Sequence, residues 1–379
     1  MHDSTKTFPD PKLISIVPLV LDRPKATITE WSSTILSGGF SGAQITRFAG
    51  VASESGERLP WSVIRKVVNA PTVWRFLHND DPAHQGYWKR ELLAESSSVL
   101  ESKGNELVAP RCYGVDSSPT AYTLWFEDIG SGINEAWSAE RFGLAARHLG
   151  QFNGRRMLDA DFLIPNWYCR NIHQQRAPLN KARWAALESV REHALVRRGL
   201  PDTVLPTMQH IWDEKESLIA LLETLPKTII HGDASRKNLI DRTRGGEHET
   251  VGIDWASLGV GAIGEELAPL VVGTSLFPRG DQDESLSSRA DRSLVEYVQG
   301  LREGGWTGSD ADCRLGFLVA SFLRYGTIIV EVGIAAGLVT EQFCESTLGC
   351  SSEAAADRLR PIREYFVENM EEVQAALQR

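Results

Sequence analysis

Apolar residues recur with a short period in the first third of the chain and with a longer one beyond Gly130. Segment 34–48, TILSGGFSGAQITRF, reads as a short β pattern, a glycine-serine turn and a second β pattern. Segment 61–68, WSVIRKVV, is a near-continuous β-branched run, as expected of a strand covered on both faces. A polar insert follows, with HNDDP at 78–82. Segment 86–102 then predicts a helix with Leu92, Leu93, Val99 and Leu100 as its apolar positions. YTLWFEDIG at 122–130 predicts another strand, running into a glycine.

Beyond Gly130, Phe142, Ala145, Leu149 and Phe152 recur at helical spacing. A short β-rich island from Thr228 to Trp255 is interrupted by a turn at 243–249, TRGGEHE. The last helical stripe is Leu359, Ile362, Phe366, Met370, Val373 and Leu377. It covers under three heptads, so it predicts a helix packed on the body and not a coiled coil. Phe317 to Val339 is long enough to span a bilayer. Arg324 and Glu331 within it would each cost several kcal/mol there, so the segment predicts buried core helix. The pattern is α+β: a small β-rich N-terminal lobe, a strand able to act as hinge, and a larger helical lobe holding a β island. The division falls at residues 1–128 and 129–379, and the cleft between the lobes is the expected ligand site.

Composition narrows this. With 42% apolar and 24% charged residues the chain reads as globular, and its 379 residues can bury a core without disulfide or metal staples. The net charge of −10 argues against a protein built to grip nucleic acid or an anionic membrane, and it permits a cationic small substrate. Five cysteines without a CxxC pair suggest a reducing compartment and no zinc ribbon. The N-terminus, MHDSTKTFPDPK, lacks the export pattern, and the apolar run Leu13 to Leu21 is short and broken by Pro18. The expected location is the cytoplasm.

The chemistry concentrates in IIHGDASRKNLI, 229–240, and VGIDWASLG, 251–259. Asp233, Asn238 and Asp254 each lie at the edge of an apolar β run. Two short strands joined by a turn would hold their three oxygens on one rim. Phosphoryl transfer needs such a set: one carboxylate to take a hydroxyl proton, and an amide with a second carboxylate to hold magnesium on the phosphates.

This segment resembles the aminoglycoside phosphotransferase family, a branch of the protein-kinase-like fold that includes choline, homoserine and methylthioribose kinases. The HGDxxxxN signature is intact at 231–238, and Ile253-Asp254-Trp255 matches the apolar-Asp-aromatic setting of the metal aspartate. The resemblance implies Asp233 as catalytic base, with Asn238 and Asp254 binding Mg²⁺. It implies ATP, with GTP as the alternative, as phosphoryl donor to a small hydroxylated acceptor, with no nucleic acid or membrane partner. It runs in order from about residue 30 to 340. Ser37, Gly38, Gly39, Phe40 and Ser41 fall where the nucleotide loop belongs. Strand alternation puts Lys66 and Arg65 on opposite faces, and the family register implies Lys66 as the phosphate lysine. Glu91 is its implied helix partner, with Glu95 one turn on as the alternative. Glu127 and Ile129 stand at the family's hinge, where main-chain groups meet adenine.

One segment departs from the family. Where the pattern often reads GxGDPxxDLA, this chain has GVGAIGEELA at 259–268. Ala262 and Ile263 replace Asp-Pro, and Glu266 stands for the second Asp. That predicts an apolar surface on the acceptor side and an acceptor other than a polycationic aminoglycoside. On a helix, Glu265 and Glu266 would point about 100° apart, so at most one would face the site. DQDE at 281–284 is the alternative source of carboxylates. His78, Asp80, Asp81 and His84 lack zinc spacing and read as a solvated loop. His231 is implied to brace its loop. Trp137, Trp167, Trp184 and Trp212 are predicted mostly to be core. A nucleotidyl (AMP) transferase on the same fold and a nucleotide-binding pseudokinase scaffold are the rival readings. Retention of Lys66, Asp233, Asn238 and Asp254 ranks both below a kinase.

Overall fold

The computed structural model describes residues 10–36, 42–71, 79–101, 107–130, 136–158, 163–276 and 284–378. Its elements in order are α1 (Pro11–Leu21), β1 (Thr27–Leu36), β2 (Gln44–Glu54), β3 (Glu57–Asn69), α2 (Arg90–Glu95), β4 (Leu107–Val108), β5 (Cys112–Ser117) and β6 (Ala121–Glu127). The helical part follows with α3 (Ala139–Gly154), α4 (Ile172–Val190), α5 (Ala194–Gly199), α6 (Leu205–Asp213) and α7 (Lys215–Thr224). The β island is β7 (Lys227–Ile230), β8 (Leu239–Arg244), β9 (Glu247–Gly252) and β10 (Gly259–Ala262). It leads into α8 (Leu286–Glu303), α9 (Asp310–Tyr325), α10 (Glu331–Ala335), α11 (Glu341–Leu348) and α12 (Ser352–Leu377).

A small antiparallel sheet, in the order β1-β2-β3-β6-β5, forms the N-terminal lobe. Alternation along β3 feeds both faces. Trp61 and Val63 pack with Phe48, Ala52 and Trp125 beneath α1. Ile64 and Val68 pack with Tyr122, Leu124, Phe126 and Trp88 on the other side. The helix α1 stands where the sequence showed only a broken apolar run. Asp10 accepts from the Lys12 N–H at 2.9 Å, Pro11 opens the helix, and Leu13, Ile16 and Val17 are buried under the sheet. Pro18 lies inside the helix without ending it.

The main core lies in the helical part, around α3, α8, α9, α12 and the β island. The stripe of α12 is buried from Leu359 through Ile362, Phe366, Met370 and Val373, and Leu377 packs at its edge. Trp137 and Trp184 are buried in this core, and Trp167 and Trp212 pack against it half-buried. The 317–339 run is two elements. The first ends at Tyr325, where the Gly326 N–H bonds back to Phe322, and α10 begins at Glu331. Both charges in the run are paired, Arg324 with Asp233 and Glu331 with Arg363 at 2.5 Å. Among the described residues no helix is long and apolar enough to cross a membrane.

The island positions the site. β7 pairs antiparallel with β10, β8 with β9, and β4 adds to β9 in parallel. Gly245 and Gly246 form the β8–β9 turn. The loops after β7 and after β9 are thereby brought side by side, and the Ile253 N–H donates to the Asn238 carbonyl at 2.9 Å.

Candidate active site

The β-branched run of β7 stops at Gly232, whose φ of 79° suits glycine. A Cβ there would also strike the Ser257 carbonyl. The loop that follows is held from three directions. Glu266 accepts from the His231 N–H at 2.6 Å and from the Gly232 N–H at 3.1 Å. Burial pushes the Glu266 carboxyl up to about 7, against those two donors. His231 is buried, and its Nε2 meets the Ile253 carbonyl at 2.9 Å. Its Nδ1 accepts from the Asp233 N–H at 3.2 Å, which fixes the tautomer. Burial lowers its pKa, so the ring stays neutral.

The side chain of Asp233 is gripped at both oxygens. Arg324 donates to Oδ1 at 2.7 Å and to the Gly232 carbonyl at 2.6 Å. Asn238 donates from Nδ2 to Oδ2 at 2.9 Å and to the Asp233 carbonyl at 2.9 Å. Lys237 stands 3.7 Å from Oδ2. Asn238 therefore directs its nitrogen at Asp233, and among the described residues its Oδ1 has no hydrogen-bond donor.

Lys66 reaches this rim from β3. Its Nζ lies 2.6 Å from Glu91 Oε2 and 2.7 Å from Asp254 Oδ1. Burial works against its charge, but Asp254 and Glu91 outweigh it and raise the pKa. Lys66 in turn lowers the pKa of Asp254, whose side chain is 38% exposed. Asp254 adopts the left-handed conformation, φ 61°, which aspartate tolerates better than most residues. Arg65 leaves the other face of the strand, stacks over Phe48 at 5.0 Å and pairs with Asp10 at 3.3 Å. Glu95 does not reach Lys66; burial, then Glu91, pushes its carboxyl up to about 8.

The remaining site candidates divide. Glu127 ends β6 with its N–H bonded to the Arg111 carbonyl and its carboxylate 2.9 Å from Arg242. The Ile129 main chain makes no hydrogen bond among the described residues. Ser37, Gly38, Gly39, Phe40 and Ser41 lie outside the described residues, as do His78 and residues 281–283. Asp80 accepts from Trp88 Nε1 at 3.0 Å, and His84 Nδ1 from the Gly86 N–H at 3.0 Å. Among the described residues no group of three His, Cys, Asp or Glu side chains could hold a metal. Asn238 Oδ1 and the exposed carboxylate of Asp254 are hard oxygen donors of the kind magnesium takes, so this pair fits the ion.

The 259–268 segment corrects the sequence expectation. Ala262 and Ile263 are fully buried core residues and present no surface to a ligand. Residues 263–266 form a turn, not a helix, because Gly264 has φ 84° and a Cβ there would strike the Cys313 carbonyl. Glu265 and Glu266 are both buried. Glu265 faces His173 at 3.1 Å and accepts from the Ala262 N–H at 2.9 Å.

The model of the phosphotransferase enzyme family matches residues 48–305, about two thirds of the chain. The chain belongs to this family. No curated protein matches this phosphotransferase by sequence. Among solved structures it is similar to a microcompartment-associated aminopropanol kinase, with 12% identity, a TM-score of 0.51, and coverage of 96% of this chain and 98% of that one. It is also similar to an amicoumacin kinase determined in complex with AMP-PNP, Ca²⁺ and Ami, with 13% identity, a TM-score of 0.49 and 96% coverage of each chain. The first likeness supports the fold: a kinase-like α+β architecture with a small antiparallel sheet and a helical C-terminal part.

Three arginines of this phosphotransferase escaped the sequence reading. Arg324 carried a signal, since a charge inside an apolar run needs a buried partner. Arg90, beside Glu91, is fully buried and donates to the carbonyls of Trp167, Gln85, Ala256, Pro82 and His84 at 2.7–3.1 Å. It ties the helix carrying Glu91 to the Asp254 loop. Arg176, early in α4, had no local signal; its neighbours come from distant segments.

Proposed function

We propose that this phosphotransferase is an ATP-dependent small-molecule kinase, with GTP as the alternative donor, acting on a hydroxyl of a small acceptor. The observation that carries the reading is the convergence of Lys66, Glu91 and Asp254 beside the Asn238–Asp233 pair. Asp233 takes the hydroxyl proton as the acceptor oxygen bonds to the γ-phosphorus and the bond to the bridging oxygen of the leaving ADP breaks. Arg324 and Asn238 hold both carboxylate oxygens, so Asp233 is oriented before the acceptor arrives. Lys66, kept charged by its two carboxylates, orients phosphate oxygens. Asn238 and Asp254 would hold magnesium, which supplies charge neutralisation on the phosphates. The nucleotide-loop role is assigned to residues 37–41, and that of meeting the base to the main chain at Glu127 and Ile129. Nucleotide binding is assigned to residues 1–128, and catalysis with acceptor binding to 129–379.

ATP turnover against hydroxylated small molecules, with nucleotide binding followed by calorimetry, tests this. The expected result is Mg²⁺-dependent ATP binding that Asp254→Ala abolishes. Nucleotide binding that is unchanged in Asp254→Ala, or absent from the wild type, would remove the reading.

A further inference from the structure

Arg324 contacts Asp233 on the helical side, and Arg176 lies within electrostatic reach of both. Helix α4 packs against α9, and just past the end of α9 Thr327 hydrogen-bonds Asn180 at 3.0 Å. Arg324, near the end of α9, uses its two terminal nitrogens on Gly232 and Asp233. Arg176, on α4, donates from Nε to Gln85 Oε1 at 2.9 Å. Among the described residues it makes no ion pair and no other hydrogen bond. Its titratable neighbours are Arg324, Asp233, Tyr325 and Cys169, of which Arg324 and Asp233 carry charge at neutral pH. Burial, then Arg324, pulls its pKa down to about 10, which leaves it charged at neutral pH.

The nearby carboxylates are already engaged. Asp233 serves Arg324 and Lys237, Glu265 serves His173, and Glu266 serves two backbone N–H groups. Asp233 is thus taken by Arg324 and Lys237, and Arg176 stands beside them with no carboxylate of its own among the described residues, in a partly buried place where an uncompensated charge is costly. The two terminal nitrogens of Arg176 make no hydrogen bond among the described residues, and a guanidinium is a planar fork that matches paired anionic oxygens.

We infer that Arg176 receives an anionic group of the acceptor, a carboxylate or a phosphate ester, while Asp233 takes the proton of a hydroxyl on the same molecule. This rests on the kinase reading above. The acceptor class is then small hydroxy acids or phosphorylated polyols, not polyamine sugars.

Matched acceptors test it: glycerate and glycerol 3-phosphate against glycerol, and serine against ethanolamine. In the wild type, kcat/KM for the best anionic member should exceed that of its counterpart by about 10²-fold, the value of a charge-assisted contact. Arg176→Gln should collapse that ratio, chiefly through KM, and Arg176→Lys should retain part of it. Glycerate against glycerol 3-phosphate separates carboxylate from phosphate. A wild-type preference for the uncharged or cationic members overturns the inference. So does an Arg176→Gln effect equal on both members, which would place Arg176 on the donor phosphates. Calorimetry without nucleotide separates the two readings. Anion binding lost in Arg176→Gln, with no phosphate transferred, keeps the anion site and removes the kinase. Transfer to uncharged acceptors, with no anionic member bound, keeps the kinase and removes the anion site.

Discussion

The sheet side and the helical side of the site carry different charge balances. On the sheet side a single ammonium, Lys66, faces two carboxylates, Glu91 and Asp254, with Glu95 behind them. On the helical side Asp233 faces Arg324 and Lys237, with Arg176 beyond, while the buried Glu265 and Glu266 behind Arg324 are engaged by His173 and by backbone N–H groups. A surplus of carboxylate suits a cation, and a surplus of guanidinium suits an anion. The net charge of −10 is therefore no guide to the acceptor, because it averages over neighbouring regions whose local charge balances differ.

The largest effect should come from the carboxylate at the centre of the helical side. Asp233→Asn keeps the shape and an oxygen for Arg324 but cannot take a proton. It should lower kcat by about 10²- to 10⁴-fold, the usual contribution of a positioned base, with nucleotide affinity little changed. Steady-state kinetics beside calorimetric nucleotide binding check this. Full activity in the variant would leave the helical side without a base, and the contrast would become purely electrostatic.

The next effect sharpens the contrast within one strand. Lys66→Ala leaves Glu91 buried without its counter-charge, which costs about 3–5 kcal/mol of stability where a buried pair is broken. It should also raise the KM for nucleotide by about tenfold or more, the size of a lost charge-assisted contact. Arg65→Ala removes a partly buried contact with Asp10 and two aromatic rings, worth about 1 kcal/mol. Thermal melts and nucleotide kinetics on both variants decide it. An Arg65→Ala variant crippled where Lys66→Ala is mild would put the phosphate lysine on the wrong face.

What could be read from sequence was local. The spacing of Asp233, Asn238 and Asp254 carried over because each residue sits at the end of a strand whose β-branched run is visible. The alternation of β3 separated Lys66 from Arg65 for the same reason. Long-range partners were invisible. Segment 86–102 reads as one apolar-faced helix, yet α2 runs only from Arg90 to Glu95, and its buried residues are Arg90, Glu91 and Ala94. A polar inward face is affordable there because Arg90 finds five carbonyls and Glu91 finds Lys66, none of them deducible from the helix itself. The misreading of 259–268 has the same origin. Whether Ala262 and Ile263 line a pocket or fill a core depends on Pro226, Cys313 and Phe317, which approach from other segments.

The smallest effect concerns the third carboxylate of the sheet side. Glu95 Oε1 is buried without a hydrogen-bond partner. Burial, and then the like charge of Glu91, raises its pKa from 4.5 to about 8, with Lys66 opposing. Between those two values the folded chain keeps a proton that the unfolded chain has lost. Stability from this group is therefore present at low pH, falls as pH rises from 4.5, and is gone above about 8. Glu95→Gln cannot ionise, so its stability should fall less steeply across that window. Measured by denaturant unfolding, it should be more stable than the wild type by about 2 kcal/mol at pH 9 and nearly equal to it at pH 5, a modest share of the linkage expected for a partly exposed group. Parallel stability curves for the two proteins would mean that Glu95 is already ionised at neutral pH. The sheet side would then hold a third charged carboxylate behind the two that pair with Lys66, and its excess of negative charge would be larger than the two-carboxylate contrast allows.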